Sequence, residues 1–90
     1  MIYIVSYDLN KQGQRYKELI DAINKLGYDR LHPEESFWLI ATDKLNADSI
    51  LKQLKPFLDS NDRMFISKAV ASDRAGWLTE NQWNWVNKNI

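Results

Sequence analysis

The opening run Ile2-Tyr3-Ile4-Val5-Ser6-Tyr7-Asp8-Leu9-Asn10 constrains this chain more than any other stretch. Ile, Val and Tyr favour strands because their side chains pack well on a pleated, half-buried surface. Alternation sends Ile2, Ile4, Ser6 and Asp8 to one face, and Tyr3, Val5, Tyr7 and Leu9 to the other. Both faces begin apolar, so this reads as a central strand that needs cover on both sides. Its far end delivers a carboxylate, Asp8, and an amide, Asn10.

The following segments supply partners for that strand. Lys11-Gln12-Gly13-Gln14 is a polar break. Tyr16, Leu19, Ile20, Ile23 and Leu26 then fall at helical spacing, with Arg15, Lys17, Glu18, Asp21 and Lys25 between them. Gly27 sits just beyond, where a left-handed helix cap is expected. Tyr28 to His32 reads as a short strand, Pro33 to Ser36 as its turn, and Phe37 to Thr42 as a strand apolar on both faces. Asn46 is placed as an N-cap, and Asp48 in the next turn suits the helix dipole. The apolar face of that helix is Ile50, Leu51 and Leu54, and Pro56 ends it near Lys55. After the turn-rich stretch Asp59-Ser60-Asn61-Asp62 comes a last strand, Arg63 to Val70. Thr79 and Gln82 match a capping box, with Leu78 and Trp83 as its hydrophobic staple. They open a helix from about Glu80 to Asn89 with Trp83, Val86 and Ile90 on one stripe.

The order is strand, helix, strand, strand, helix, strand and an extra helix. Right-handed crossovers fold each strand-helix-strand half onto one face of an antiparallel sheet. The expected class is α+β, a ferredoxin-like βαββαβ sandwich with an extra C-terminal helix and the first and third strands central. Two helices cover one sheet face. The other face is also apolar, so it needs a lid: the Trp-bearing C-terminal helix, a second copy of the chain, or both. Residues 1–90 read as one domain, with a core over about 1–70 and a Trp-rich extension over about 71–90.

Composition narrows the function. With no cysteine among 90 residues, disulfides, thiolate metal sites and cysteine nucleophiles are excluded. No apolar run is long enough for a membrane-spanning helix, and no leader pattern opens the chain, so the cytoplasm is the expected location. Twelve basic residues balance twelve acidic ones, for a net charge of zero. A nucleic-acid binder ordinarily carries a basic excess or stripe, so charge gives that partner no support.

The segment Tyr3-Ile4-Val5-Ser6-Tyr7-Asp8-Leu9 resembles the first strand of the CRISPR-associated Cas-two family, which is likewise apolar and ends in Tyr-Asp or a near variant. Glu35-Ser36-Phe37-Trp38 is similar to its Ser-Val-Phe segment, and Asn61-Asp62-Arg63-Met64-Phe65-Ile66 to its Asp-led fourth strand. Tyr-Asp-Leu-Asn and Leu-Lys-Pro-Phe-Leu-Asp look closer to a SinR-like offshoot. The virulence-associated protein D toxins share this framework. The resemblance implies a homodimer with facing sheets. In nucleases of the family, strand-end aspartates of both subunits bind Mg²⁺ near the dimer axis for phosphodiester cleavage, and only Asp8 maps onto that role. Other members act as non-catalytic scaffolds that hold DNA. The family ends in a further strand that pairs with the partner subunit, whereas this chain ends in a Trp-rich helical segment.

Each candidate residue has a structural reading beside its functional one. Asp8 is either a metal ligand, since Mg²⁺ needs only one or two carboxylates when water or phosphate completes its shell, or a strand-end cap bonded to nearby backbone. Ser6, on the same face, and Asn10 are second-shell candidates that would orient Asp8. Ser36 joins them if the third strand neighbours the first. His32, the only histidine, is either a general acid or base or an exposed turn residue. Trp77, Trp83 and Trp85 either stack on bases or pack over the sheet or a dimer interface. Two functions follow: a metal-dependent endonuclease or endoribonuclease centred on Asp8, or a non-catalytic dimeric scaffold or protein-interaction module. A toxin of the virulence-associated kind is a third reading.

Overall fold

A computed structural model describes residues 1–10 and 16–90. The polar break expected at 11–14, and Arg15, lie outside the described residues. The described elements are β1 (Ile2–Asp8), α1 (Tyr16–Ile23), β2 (Asp29–Glu34), β3 (Phe37–Ala41), α2 (Ala47–Leu54), β4 (Arg63–Ala69) and α3 (Glu80–Asn89), with a 3-10 turn over Lys55–Phe57. They make an α+β fold with one four-stranded sheet in the order β2-β3-β1-β4. Every neighbouring pair is antiparallel, and β1 and β3 are central.

The double-sided β1 explains the layering. Tyr3, Val5 and Tyr7 pack with Trp38 and Ile40 of β3 against Leu19 and Ile23 of α1, Leu26 beyond it, and Ile50 and Leu54 of α2. On the opposite face, Ile2 and Leu39 pack with Val86 of α3, flanked by Trp83, Trp85 and Ile90. The lid over the second face is therefore the chain's own C-terminal helix. Its capping box forms as the sequence indicates: Thr79 Oγ1 accepts the Gln82 N–H, and Gln82 Oε1 accepts the Thr79 N–H. The Trp85 indole N–H donates to Asp29 Oδ2 at 2.9 Å, and the Tyr28 hydroxyl donates to Asn89 Oδ1 at 3.2 Å. Both bonds fix α3 to the beginning of β2.

Asn46 caps α2, accepting from the Ser49 N–H at 2.8 Å. Gly27 has φ +62, the left-handed geometry expected of it. Two boundaries differ from expectation. α1 ends at Ile23, and tighter bonds such as Leu26 N–H to the Ile23 carbonyl close the segment up to Gly27. Leu26 is nonetheless fully buried, so the apolar spacing reported burial rather than helix length. β2 runs on past the expected end at His32, through Pro33 and Glu34. Proline is tolerated there because β2 is an edge strand, and the register shifts between Leu31 and Glu34. Among the described residues, no helix is long and apolar enough to cross a membrane.

Candidate functional site

β1 ends beside β4, with Asp8 opposite Arg63 and Ser6 opposite Phe65. On its other side, Ser6 is opposite Phe37 of β3. Paired residues in an antiparallel sheet point the same way. Ser6, Asp8, Phe37, Arg63 and Phe65 therefore share the face that α3 covers; Phe37 still packs against the cluster that includes Val86 of α3, and the cover thins out beyond it toward Asp8. The exposure gradient along that face records this. Ile2 is fully buried beneath α3, Ile4 and Ser6 are half-buried, and Asp8 is exposed. Phe65 keeps 69% of its surface in water.

Asp8 makes no hydrogen bond or ion pair among the described residues. The strand-end capping that sequence reasoning offered for it falls to Asp62. Asp62 Oδ1 accepts the Asn10 N–H at 2.8 Å, and Oδ2 accepts the Asp59 N–H at 2.8 Å. The Asp59 and Asn10 amides hold the Asp62 carboxyl below the usual carboxylate range. One side chain thus ties the exit of β1 to the turn that enters β4. The turn-rich sequence around Asp62 signals a turn but not this long-range bond, and so its role was missed.

The other candidates gather around the same strand end. Ser36 closes the β2–β3 turn, and its carbonyl accepts the Tyr7 N–H at 3.2 Å. It therefore neighbours β1, as the placement of β3 next to β1 requires. Asn10 is engaged through its backbone N–H. Beneath them, on the helix-covered face, the Trp38 indole N–H donates to the Tyr7 hydroxyl at 3.1 Å. Burial pushes the Tyr7 phenol up to about 12, outweighing the Trp38 bond that favours the phenolate. Tyr7 is thus a fixed neutral phenol at ordinary pH.

His32 lies on β2 rather than in the turn. Its ring stacks on Trp38 with centroids 3.8 Å apart and an interplanar angle of 10°. Its Nε2–H donates to the Glu35 carbonyl at 2.8 Å. That places it on the other face from Asp8, so the two side chains do not converge. Trp83 and Trp85 pack against the sheet, as expected, but Trp77 does not: its side chain is fully exposed. The stripe of Trp83, Val86 and Ile90 already occupies the sheet surface near it, and Trp77 sits upstream on the extended segment that leads into α3.

Among the described residues, no three His, Cys, Asp or Glu side chains gather in one place. Among the described residues, this strand end presents the unpartnered Asp8 carboxylate with the Ser6 hydroxyl on the same face. Hard oxygen donors of this kind suit Mg²⁺, but one chain supplies one charged ligand, and a second would come from a second copy. No family model matches this chain, and no curated protein shows significant similarity to it.

Proposed function

We propose that this protein is a Cas-two-like homodimer that cleaves phosphodiester bonds with a divalent metal held by paired Asp8 side chains. The observation that carries the reading is the state of Asp8. A central strand delivers its carboxylate to an exposed sheet end, and a different aspartate, Asp62, does the structural bonding there. Strand order β2-β3-β1-β4, with α1 and α2 on one face, supports a ferredoxin-like fold. The open end of the other face supports a dimer. Phe65 lies opposite Ser6, two residues before Asp8 on the same face, and an exposed phenylalanine on a sheet face is the kind of group that a second copy would cover. Two copies meeting at that end would bring their Asp8 carboxylates together, with Ser6, Asn10 and Ser36 nearby. Mg²⁺ bound there would polarise a phosphate and lower the pKa of a bound water.

The contrasting reading keeps the same dimer without chemistry, as a scaffold or protein-interaction module. Its supports are the neutral charge and the single ligand per chain. Cleavage assays on single-stranded RNA and double-stranded DNA separate the two. Wild type and Asp8→Asn, purified identically, are tested with Mg²⁺, Mn²⁺ and EDTA. The nuclease reading predicts metal-dependent cleavage that disappears in Asp8→Asn. Equal products from both proteins, or none from folded wild type, would overturn it, and the second outcome would favour the scaffold.

A further inference from the structure

The strongest unassigned feature lies at the α3 end of the same sheet face, away from Asp8. A cleft of about 350 Å³ opens between the sheet and the segment that carries α3. Its floor is Ile2, Ile4 and Leu39, and its roof includes Trp83, Val86 and Ile90. Small-ligand pockets are typically of this size, largely apolar, with a few polar groups that set orientation.

Two charged residues line the cleft, Arg74 and Glu34. Arg74 makes no ion pair among the described residues, with Glu34 or any other carboxylate. Its Nε–H donates to the Ala71 carbonyl at 3.4 Å, and its guanidinium lies 5.8 Å from the centre of the Trp83 ring. Stacking over an indole holds a guanidinium in place without neutralising it. Its terminal N–H groups form a fork that matches a carboxylate. Glu34 in the same lining disfavours a ligand that carries more negative charge than Arg74 can balance. Trp77, also part of the lining, presents a fully exposed indole.

We propose that this cleft binds a free apolar monocarboxylate, its hydrocarbon or ring body between Leu39 and Trp83 and its head group on Arg74. Binding there uses neither Asp8 nor any nuclease activity, although Phe37 lines the cleft and also pairs with Ser6 near Asp8.

The test uses decanoate, kept below its micelle-forming concentration, with decanol and decylammonium as head-group controls. Binding is followed by the indole ¹H–¹⁵N signals of the four tryptophans. Decanoate is expected to shift Trp77 and Trp83 saturably and to leave Trp38, on the other sheet face, unmoved. Arg74→Gln is expected to weaken decanoate about tenfold, the loss of one charge-assisted head-group contact, and to leave decanol unchanged. Arg74 is exposed, so this variant tests the head group without disturbing the core. Absence of saturable shifts would overturn the proposal. So would equal affinity for decylammonium, or undiminished decanoate binding by Arg74→Gln. Shifts of Trp77 and Trp83 with protein concentration alone would assign the cleft to a second copy of the chain and overturn it as well.

Discussion

Gly27→Ala should be among the most damaging single-methyl additions to this fold. Gly27 holds φ +62, and a Cβ built there would lie 2.2 Å from the carbonyl oxygen of Ala41. That oxygen is backbone, not the tip of a flexible side chain, and it already accepts the Tyr28 N–H at 2.9 Å. Left-handed geometry costs an L-residue about 1–2 kcal/mol. Moving the strand to relieve the contact weakens a hydrogen bond worth about 1 kcal/mol. Stiffening of the unfolded chain by alanine returns roughly 0.5–1 kcal/mol. The net loss is about 2 kcal/mol, a large share of the roughly 5–13 kcal/mol expected for a domain of this size. Urea unfolding followed by tryptophan fluorescence should therefore show a midpoint lower by roughly 1–2 M. Gly76→Ala is the control. Gly76 does not have a positive φ, and its added Cβ would meet only side chains, the Trp83 ring at 3.3 Å and Leu78 Cγ at 3.8 Å. Its midpoint should move by under about 0.5 M. A Gly27→Ala midpoint equal to wild type, or no lower than that of Gly76→Ala, would refute the reasoning.

Two pH effects follow, one from a hydrogen bond and one from burial. The Trp85 indole N–H, followed by the Arg30 amide, holds the Asp29 carboxyl below its ordinary value. Its contribution to stability is present above the ordinary carboxylate pKa of about 3.9 and is lost as pH falls through the lower folded value. Trp85→Phe should reduce the acid sensitivity of α3 docking, measured by amide hydrogen exchange on α3 between pH 5 and 2; an unchanged acid profile would contradict this. At the other extreme, the Tyr7 phenol is raised from 10.0 to about 12, so its contribution is complete below pH 10 and is lost as pH climbs toward 12. About two pH units correspond to roughly 2–3 kcal/mol. Tyr7→Phe should flatten the alkaline limb of a stability–pH curve, while leaving the Trp38 indole unpaired at a neutral-pH cost of about 1–3 kcal/mol.

Much of the framework was legible because the local signals agreed with one another. The double-sided run from Ile2 predicted a central strand and a need for cover on both faces. The Thr79–Gln82 box and the Trp83, Val86 and Ile90 stripe located α3 and its buried side. The errors have specific physical origins. Pro33 and Glu34 read as part of a turn because proline lacks an N–H, yet an edge strand needs no donor on its outer side. Leu26 extended the helical spacing although the helix had already tightened at Ile23. Trp77 was grouped with its neighbours as a packing residue, but aromatic content does not say which ring reaches the sheet. At the candidate site, alternation correctly put Ser6 and Asp8 on one face, and Ser36 lies beside β1. What pattern could not convey was the division of labour between Asp8 and Asp62. The Asn10–Asp62 bond spans 52 positions, and only the folded pairing of β1 with β4 brings them together.

The central claim is that two copies meet at the open end of the sheet and so pair their Asp8 carboxylates. Light scattering of wild type and Phe65→Glu at tens of micromolar tests it most directly. Phe65 is exposed, so a charge there should leave the monomer folded while disrupting an apolar contact between copies. The account predicts twice the 10.6 kDa chain mass for wild type and the single-chain mass for the variant. A wild type that stays monomeric would remove the paired-aspartate site, and a dimer unaffected by Phe65→Glu would place the interface elsewhere on the fold.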